Sequence, residues 1–179
     1  IFNMCRGFML GDYSHVAVGT PVQEAHLHYF KAKYKWIKNV EVKTGPLIFA
    51  NLNGINRSAQ KRKLGLSQDE VILTHATSTK IRGSERYYFL ETPDELFTGL
   101  SDIIDTVNMM KNTRLIIRIH PGFYLSDEEV IMLLPASNKY IINRKGPFTD
   151  VLAATDILIS YSSTTIDEAL LNRIPVLLY

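Results

Sequence analysis

From Val71 to Tyr179 the chain alternates strand-like and helix-like segments almost without interruption, five strands separated by four helices. Val71-Ile72-Leu73 opens the series. Thr92, Pro93 and Glu95 then spell a capping box, followed by Leu96, Leu100, Ile103, Ile104, Val107 and Met110 at helical spacing. Residues 115–119 form the next apolar run, stopped at His120-Pro121-Gly122, and Ser126 with Glu129 opens a second capped helix. Tyr140-Ile141-Ile142 is a third strand and residues 148–154 a short helix. Residues 156–179 complete the pattern with a buried strand, a Ser/Thr-rich turn, a short helix and a second buried strand after Pro175. Such alternation predicts an α/β fold: a doubly wound, Rossmann-like parallel sheet with right-handed crossovers and helices on both faces.

Ahead of that series lies a shorter one. His15-Val16-Ala17-Val18 reads as a strand, Thr20 and Pro21 start a helix from Val22 to about Lys33, and residues 40–43 make a second strand. This predicts a partial βαβ unit, the remnant of an N-terminal Rossmann-like domain and its linker over residues 1–52, with the main domain at 53–179. A basic helix over residues 55–64, C-capped by Gly65, carries Arg57, Lys61, Arg62 and Lys63 and is expected to be a solvated face. The chain starts at Ile1 and stops at Tyr179 directly after a strand, so a piece of a longer protein is expected.

A hydrophobic content of 46% suffices for one well-buried domain. The net charge of +2 makes no case for nucleic acid, and none is expected as a partner. A single cysteine, Cys5, excludes an internal disulfide framework, and no apolar run approaches the roughly 20 residues of a membrane span. The expected setting is soluble and cytoplasmic. No metal-ligand spacing emerges, since His26 and His28 stand on different helix faces, and no cofactor is expected.

Three polar clusters fall at βα junctions, hence on the edge of the predicted sheet where open α/β folds bind ligands. Residues 75–86 include Thr77, Ser78, Lys80 and Arg82, hydroxyls and cations able to wrap a diphosphate, or else an ordinary exposed loop. There is no P-loop or dinucleotide fingerprint. His120, aimed by Pro121, can donate to a phosphate or leaving group, though strand-end histidines are often structural. Arg118 interrupts the same buried strand and needs a partner, with Asp156 a plausible one. Ser162, Ser163 and Thr164 precede a helix and either hold an anion or merely cap it. Glu168, in competition with Asp167, is placed to accept ribose hydroxyls or to be solvated, and Gly146, Phe148 and Thr149 stand where a base can be contacted.

His120-Pro121, residues 156–163 and the following RIPVLLY together resemble the C-terminal, donor-binding half of GT-B glycosyltransferases of bacterial surface polysaccharide synthesis. The CDP-glycerol glycerophosphotransferases and the HP-motif sialyl- and Kdo-transferases are the most similar groups. The resemblance implies that His120 and Pro121 match the HP motif and Ser162 and Ser163 the serine motif, both contacting a nucleotide and its phosphate. It implies Glu168 on ribose, as in the wider group and the related UDP-sugar 2-epimerases. Residues 40–52 are similar to the domain-joining strand, with Ala50 and Asn51 near the expected aspartate.

The function expected is binding of a CMP-, CDP- or UDP-activated sugar or alcohol for a glycosyl- or glycerophospho-transferase. The alternatives are a UDP-sugar 2-epimerase-like protein and a non-catalytic Rossmann-like module. The acceptor domain and its catalytic base are expected in a missing N-terminal part, so the fragment is not expected to be active alone. The resemblance also allows peripheral membrane association of the full protein.

Overall fold

The computed structural model describes residues 13–45, 52–77, 92–161 and 163–179. The expectations for Ser78, Lys80, Arg82, Ser162, Ala50 and Asn51 lie outside the described residues. Contacts divide the chain into two compact units, residues 1–50 and 51–179. Among the described residues no helix is long and apolar enough to cross a membrane.

In the first unit, β1 (His15–Val18) and β2 (Val40–Lys43) pair in parallel, His15 opposite Val40, and α1 (Pro21–Lys33) is the crossover between them. Thr20 caps α1 by accepting the Gln23 N–H at 3.2 Å, with Pro21 in the first turn where its missing N–H is harmless. Val18, Leu27, Phe30 and Ile37 form the small core of this βαβ unit.

The second unit begins with α2 (Arg57–Lys63), β3 (Val71–Ala76), α3 (Pro93–Met109) and β4 (Thr113–Arg118). It continues through α4 (Asp127–Leu133), β5 (Tyr140–Asn143), α5 (Phe148–Leu152), β6 (Ile157–Ser160), α6 (Thr165–Leu171) and β7 (Val176–Leu178). Its sheet is five-stranded and parallel in the order β5-β4-β3-β6-β7. The chain therefore starts in the middle of the sheet, winds outward to one edge, and returns to wind outward to the other. The reversal falls between β3 and β6.

Strand residues alternate between two apolar layers, as the period of two requires. Leu73, Leu115, Ile117 and Ile159 pack against Leu96, Leu100, Ile104 and Val107 of α3 and Val130 of α4. On the opposite face Ile72 and Ile116 meet Leu66, Val151 and Ala154, while Ala76 and Leu158 meet Leu152 and Ala169. Helices thus cover both faces, and the fold is a doubly wound Rossmann-like sheet.

Both capping boxes form. Thr92 accepts the Glu95 N–H at 3.2 Å while Glu95 accepts the Thr92 N–H at 2.6 Å, and Ser126 and Glu129 do the same at 3.2 and 2.7 Å. At the end of α2, the N–H of Gly65 reaches Arg62 O and that of Leu66 reaches Lys61 O, a Schellman pair made possible by the φ of +71° at Gly65.

Some expectations are corrected. The basic helix is not simply a solvated face. Lys61 is 5% exposed, and its Nζ donates to the carbonyls of Gln68 and Glu70 at 3.0 and 2.7 Å. Arg57 pairs with Asp156 at 2.5 Å, and Lys63 with Asp150 at 2.6 Å. β3 continues through Ala76, so His75 belongs to the strand rather than to a loop. On α6, Ala169 is the residue that packs inward, while Leu170 is exposed.

Candidate functional site

Because every strand of the second sheet is parallel, the segments after β3, β4, β5 and β6 leave the sheet at one edge. The crevice of an open α/β sheet lies there, outside the strand ends where the winding reverses. His120 follows β4 and Ser163 follows β6, on either side of β3, with roughly 10 Å between their strands. These two sequence-expected clusters therefore stand on the same edge of the sheet, two strands apart.

His120 opens a tight turn. The Phe123 N–H donates to His120 O at 2.9 Å with Pro121 at the second position, where its fixed φ suits the turn. The Gly122 N–H donates to His120 Nδ1 at 2.9 Å. Nδ1 is thus the acceptor, and in the neutral ring the proton sits on Nε2, which is left to donate to a bound oxygen. Burial, and next the charge of Arg118, hold the imidazole pKa below its usual value.

Thr77 ties this turn to β3. It is 4% exposed, its N–H and hydroxyl both donate to Arg118 O, at 3.1 and 3.2 Å, and its hydroxyl accepts the His120 N–H at 3.0 Å. The hydroxyl expected to touch phosphate is engaged in holding the backbone.

Arg118 does not meet Asp156. Asp156 accepts the Ile72 N–H at 2.8 Å and pairs with Arg57. Arg118, 8% exposed as a residue, instead turns its guanidinium to the loop after β5: it donates to Asn143 Oδ1, to Lys145 O at 2.9 Å and to Gly146 O at 2.7 Å. That loop needs Gly146 at a φ of +77°. Phe148, at the start of α5, is half-buried and packs against the apolar clusters that contain Val151 and Leu152, and Thr149 beside it is half-buried.

After β6, Ser163 Oγ accepts the Thr165 N–H at 3.3 Å and Ser163 O the Ile166 N–H at 3.2 Å. Ser163, one residue before the cap position, thus ties down the first turn through its carbonyl and one long hydroxyl bond. Thr164 occupies the cap position with no side-chain bond and is exposed. Glu168 is half-buried, and burial raises its carboxyl pKa, whereas Asp167 is exposed. The structure adds two residues the sequence did not single out: the hydroxyls of Ser160 and Thr165 are buried at this same turn without a partner among the described residues. A lone serine ending an apolar strand was the only signal.

His75, in β3, is 0% exposed and bonds through Nε2 to the Tyr179 hydroxyl at 2.8 Å. Burial pushes its pKa down to about 4. In the first unit Glu24, His28 and Glu41 bring ligand-type atoms within 4.8 Å of one another. Within that grouping His28 Nε2 is hydrogen-bonded to Glu41 and Lys43 pairs with Glu24, both at 2.7 Å.

No family model matches the sequence, and no curated protein does. Among solved structures, the wall teichoic acid polymerase TagF is similar in fold, with a TM-score of 0.51 and 13% identity over 93% of this chain and 39% of its own. A second structure of TagF gives a TM-score of 0.49 and 12% identity over 93% of this chain and 38% of that one. The chain spans about two fifths of the length of the structures it matches.

Proposed function

We propose that residues 51–179 are the donor-binding half of a glycosyl- or glycerophospho-transferase of cell-surface polymer biosynthesis. The observation that carries this reading is the pairing of two turns, one bearing His120 and one bearing Ser163, at the crevice where the winding reverses. The fold likeness to a wall teichoic acid polymerase and the HP and serine motifs support it.

On this reading a CMP-, CDP- or UDP-linked donor lies along the edge. The phosphate takes a hydrogen bond from His120 Nε2–H and from the hydroxyls of the serine turn, Ser162 included, while Thr164 stands beside them. Glu168 accepts from the ribose, and the loop from Gly146 to Thr149 borders the base. Charge that develops on the departing nucleotide is stabilised by donors already in place. The acceptor and the catalytic base come from a separate domain facing the same edge.

Calorimetric titration with CMP, CDP, UMP and UDP tests the reading. Binding by at least one nucleotide is expected, weakened roughly tenfold or more by His120→Ala or Ser163→Ala, the loss of one charge-assisted hydrogen bond. Lack of affinity for all four would sink it.

A further inference from the structure

Arg118 is a buried cation that meets no carboxylate among the described residues. Arg57, Arg114 and Arg144 each meet a carboxylate, Asp156, Glu70 and Asp127 respectively. Arg118 is more buried and meets none among the described residues; its fork ends on an amide oxygen and two backbone carbonyls. Carbonyl dipoles solvate a guanidinium but leave its net charge intact, and an unpaired charge is expensive to bury. The site of this burial is the carboxyl end of β4, two residues from His120 and beside the exposed Lys145. The neighbouring Arg144 adds nothing to the local excess, since Asp127 sits 2.7 Å from its Nε. Among the described residues, the ends of β4 and β5 therefore carry an excess of positive charge.

We propose that the counter-ion of Arg118 is the anionic group of the bound ligand. Arg118 acts as a positioning residue, its charge drawing a phosphate to these strand ends while its fork sets the shape of the loop after β5. It need not touch the ligand, since a field from a partly dehydrated charge carries across several ångströms. The same charge bears on His120, whose proton affinity is lowered first by burial and then by Arg118. The inference builds on the donor-site reading and narrows it: anionic ligands are selected at the β4–β5 side of the edge.

Two substitutions separate charge from shape. Asn143→Asp puts a carboxylate where Arg118 already donates, giving it an internal counter-ion with little change of form. Arg118→Met removes the charge. Both should weaken binding of inorganic pyrophosphate and of CDP roughly ten- to a hundredfold, the scale of one charge-assisted interaction. Uncharged cytidine should bind Asn143→Asp and the unsubstituted protein alike. The His120 titration midpoint, followed by NMR, should rise in both variants. Should Arg118→Met not fold, Asn143→Asp alone decides. Unchanged pyrophosphate affinity in Asn143→Asp, or an unmoved His120 midpoint, overturns the inference. If pyrophosphate binds in this manner but no nucleotide does, the donor-site reading falls and the Arg118 inference stands. If CDP binds the variants and the unsubstituted chain equally, the reverse holds.

Discussion

The hydroxyl of Thr77 accepts the backbone N–H of His120 at 3.0 Å, fastening the end of β3 to the turn that follows β4. One buried side chain thereby bridges the adjacent strands β3 and β4 at the edge where ligand binding is proposed. Thr77→Val keeps the volume but leaves that N–H without a partner. A loss of about 1–3 kcal/mol in urea unfolding is expected, together with weaker nucleotide binding because the His120 turn loosens. Thr77→Ser should restore both.

Glu168 is held half-buried with its pKa raised, so the fold disfavours the carboxylate. For an acid of this kind, stability is fullest below the unfolded pKa and declines as pH rises through the folded one. Glu168→Gln should therefore unfold at an equal or higher urea concentration at pH 7 while binding nucleotide less well. A destabilised Glu168→Gln with unchanged nucleotide affinity would show that the carboxylate serves the fold.

His75 gives the opposite pH signature. Its pKa falls from 6.5 unfolded to about 4 in the buried site beside Tyr179. Neutral imidazole is the folded form, so its contribution is complete above pH 6.5 and drains away as pH falls toward 4. The full effect is on the order of 3 kcal/mol. Urea midpoints measured between pH 7.5 and 4.5 should fall in the unsubstituted chain and flatten over that range in His75→Phe; equal slopes would contradict the assignment.

Asp156 joins three elements, accepting the Ile72 N–H of β3 and pairing with Arg57 of α2 from the start of β6. Asp156→Ala removes the acceptor for a strand N–H and should cost about 1–3 kcal/mol, whereas Arg57→Ala, at a half-exposed pair, should cost less than about 1 kcal/mol. Chemical denaturation of both variants provides the comparison.

What the sequence revealed depended on how local the physics was. The capping boxes at Thr92 and Ser126 were legible because donor and acceptor lie three residues apart. The alternating apolar runs prescribed the two-faced sheet because burial on both sides leaves a periodic trace. His120 and Ser163 could be placed on one edge from strand direction alone. Long-range pairing was not legible. His75 looks like loop chemistry until Tyr179, 104 residues later, supplies its partner. Lys61 looks solvated until the carbonyls of Gln68 and Glu70 fold back on it. Arg118 could equally have met a carboxylate or carbonyls, and only the loop after β5 decides.

A crystal structure of the protein soaked with CDP or UDP probes the shared edge most directly. Phosphate oxygens within hydrogen-bond distance of both His120 Nε2 and the Ser163 turn are predicted. A nucleotide seated at the amino ends of the strands, or touching only one of those two turns, would contradict the donor-site reading.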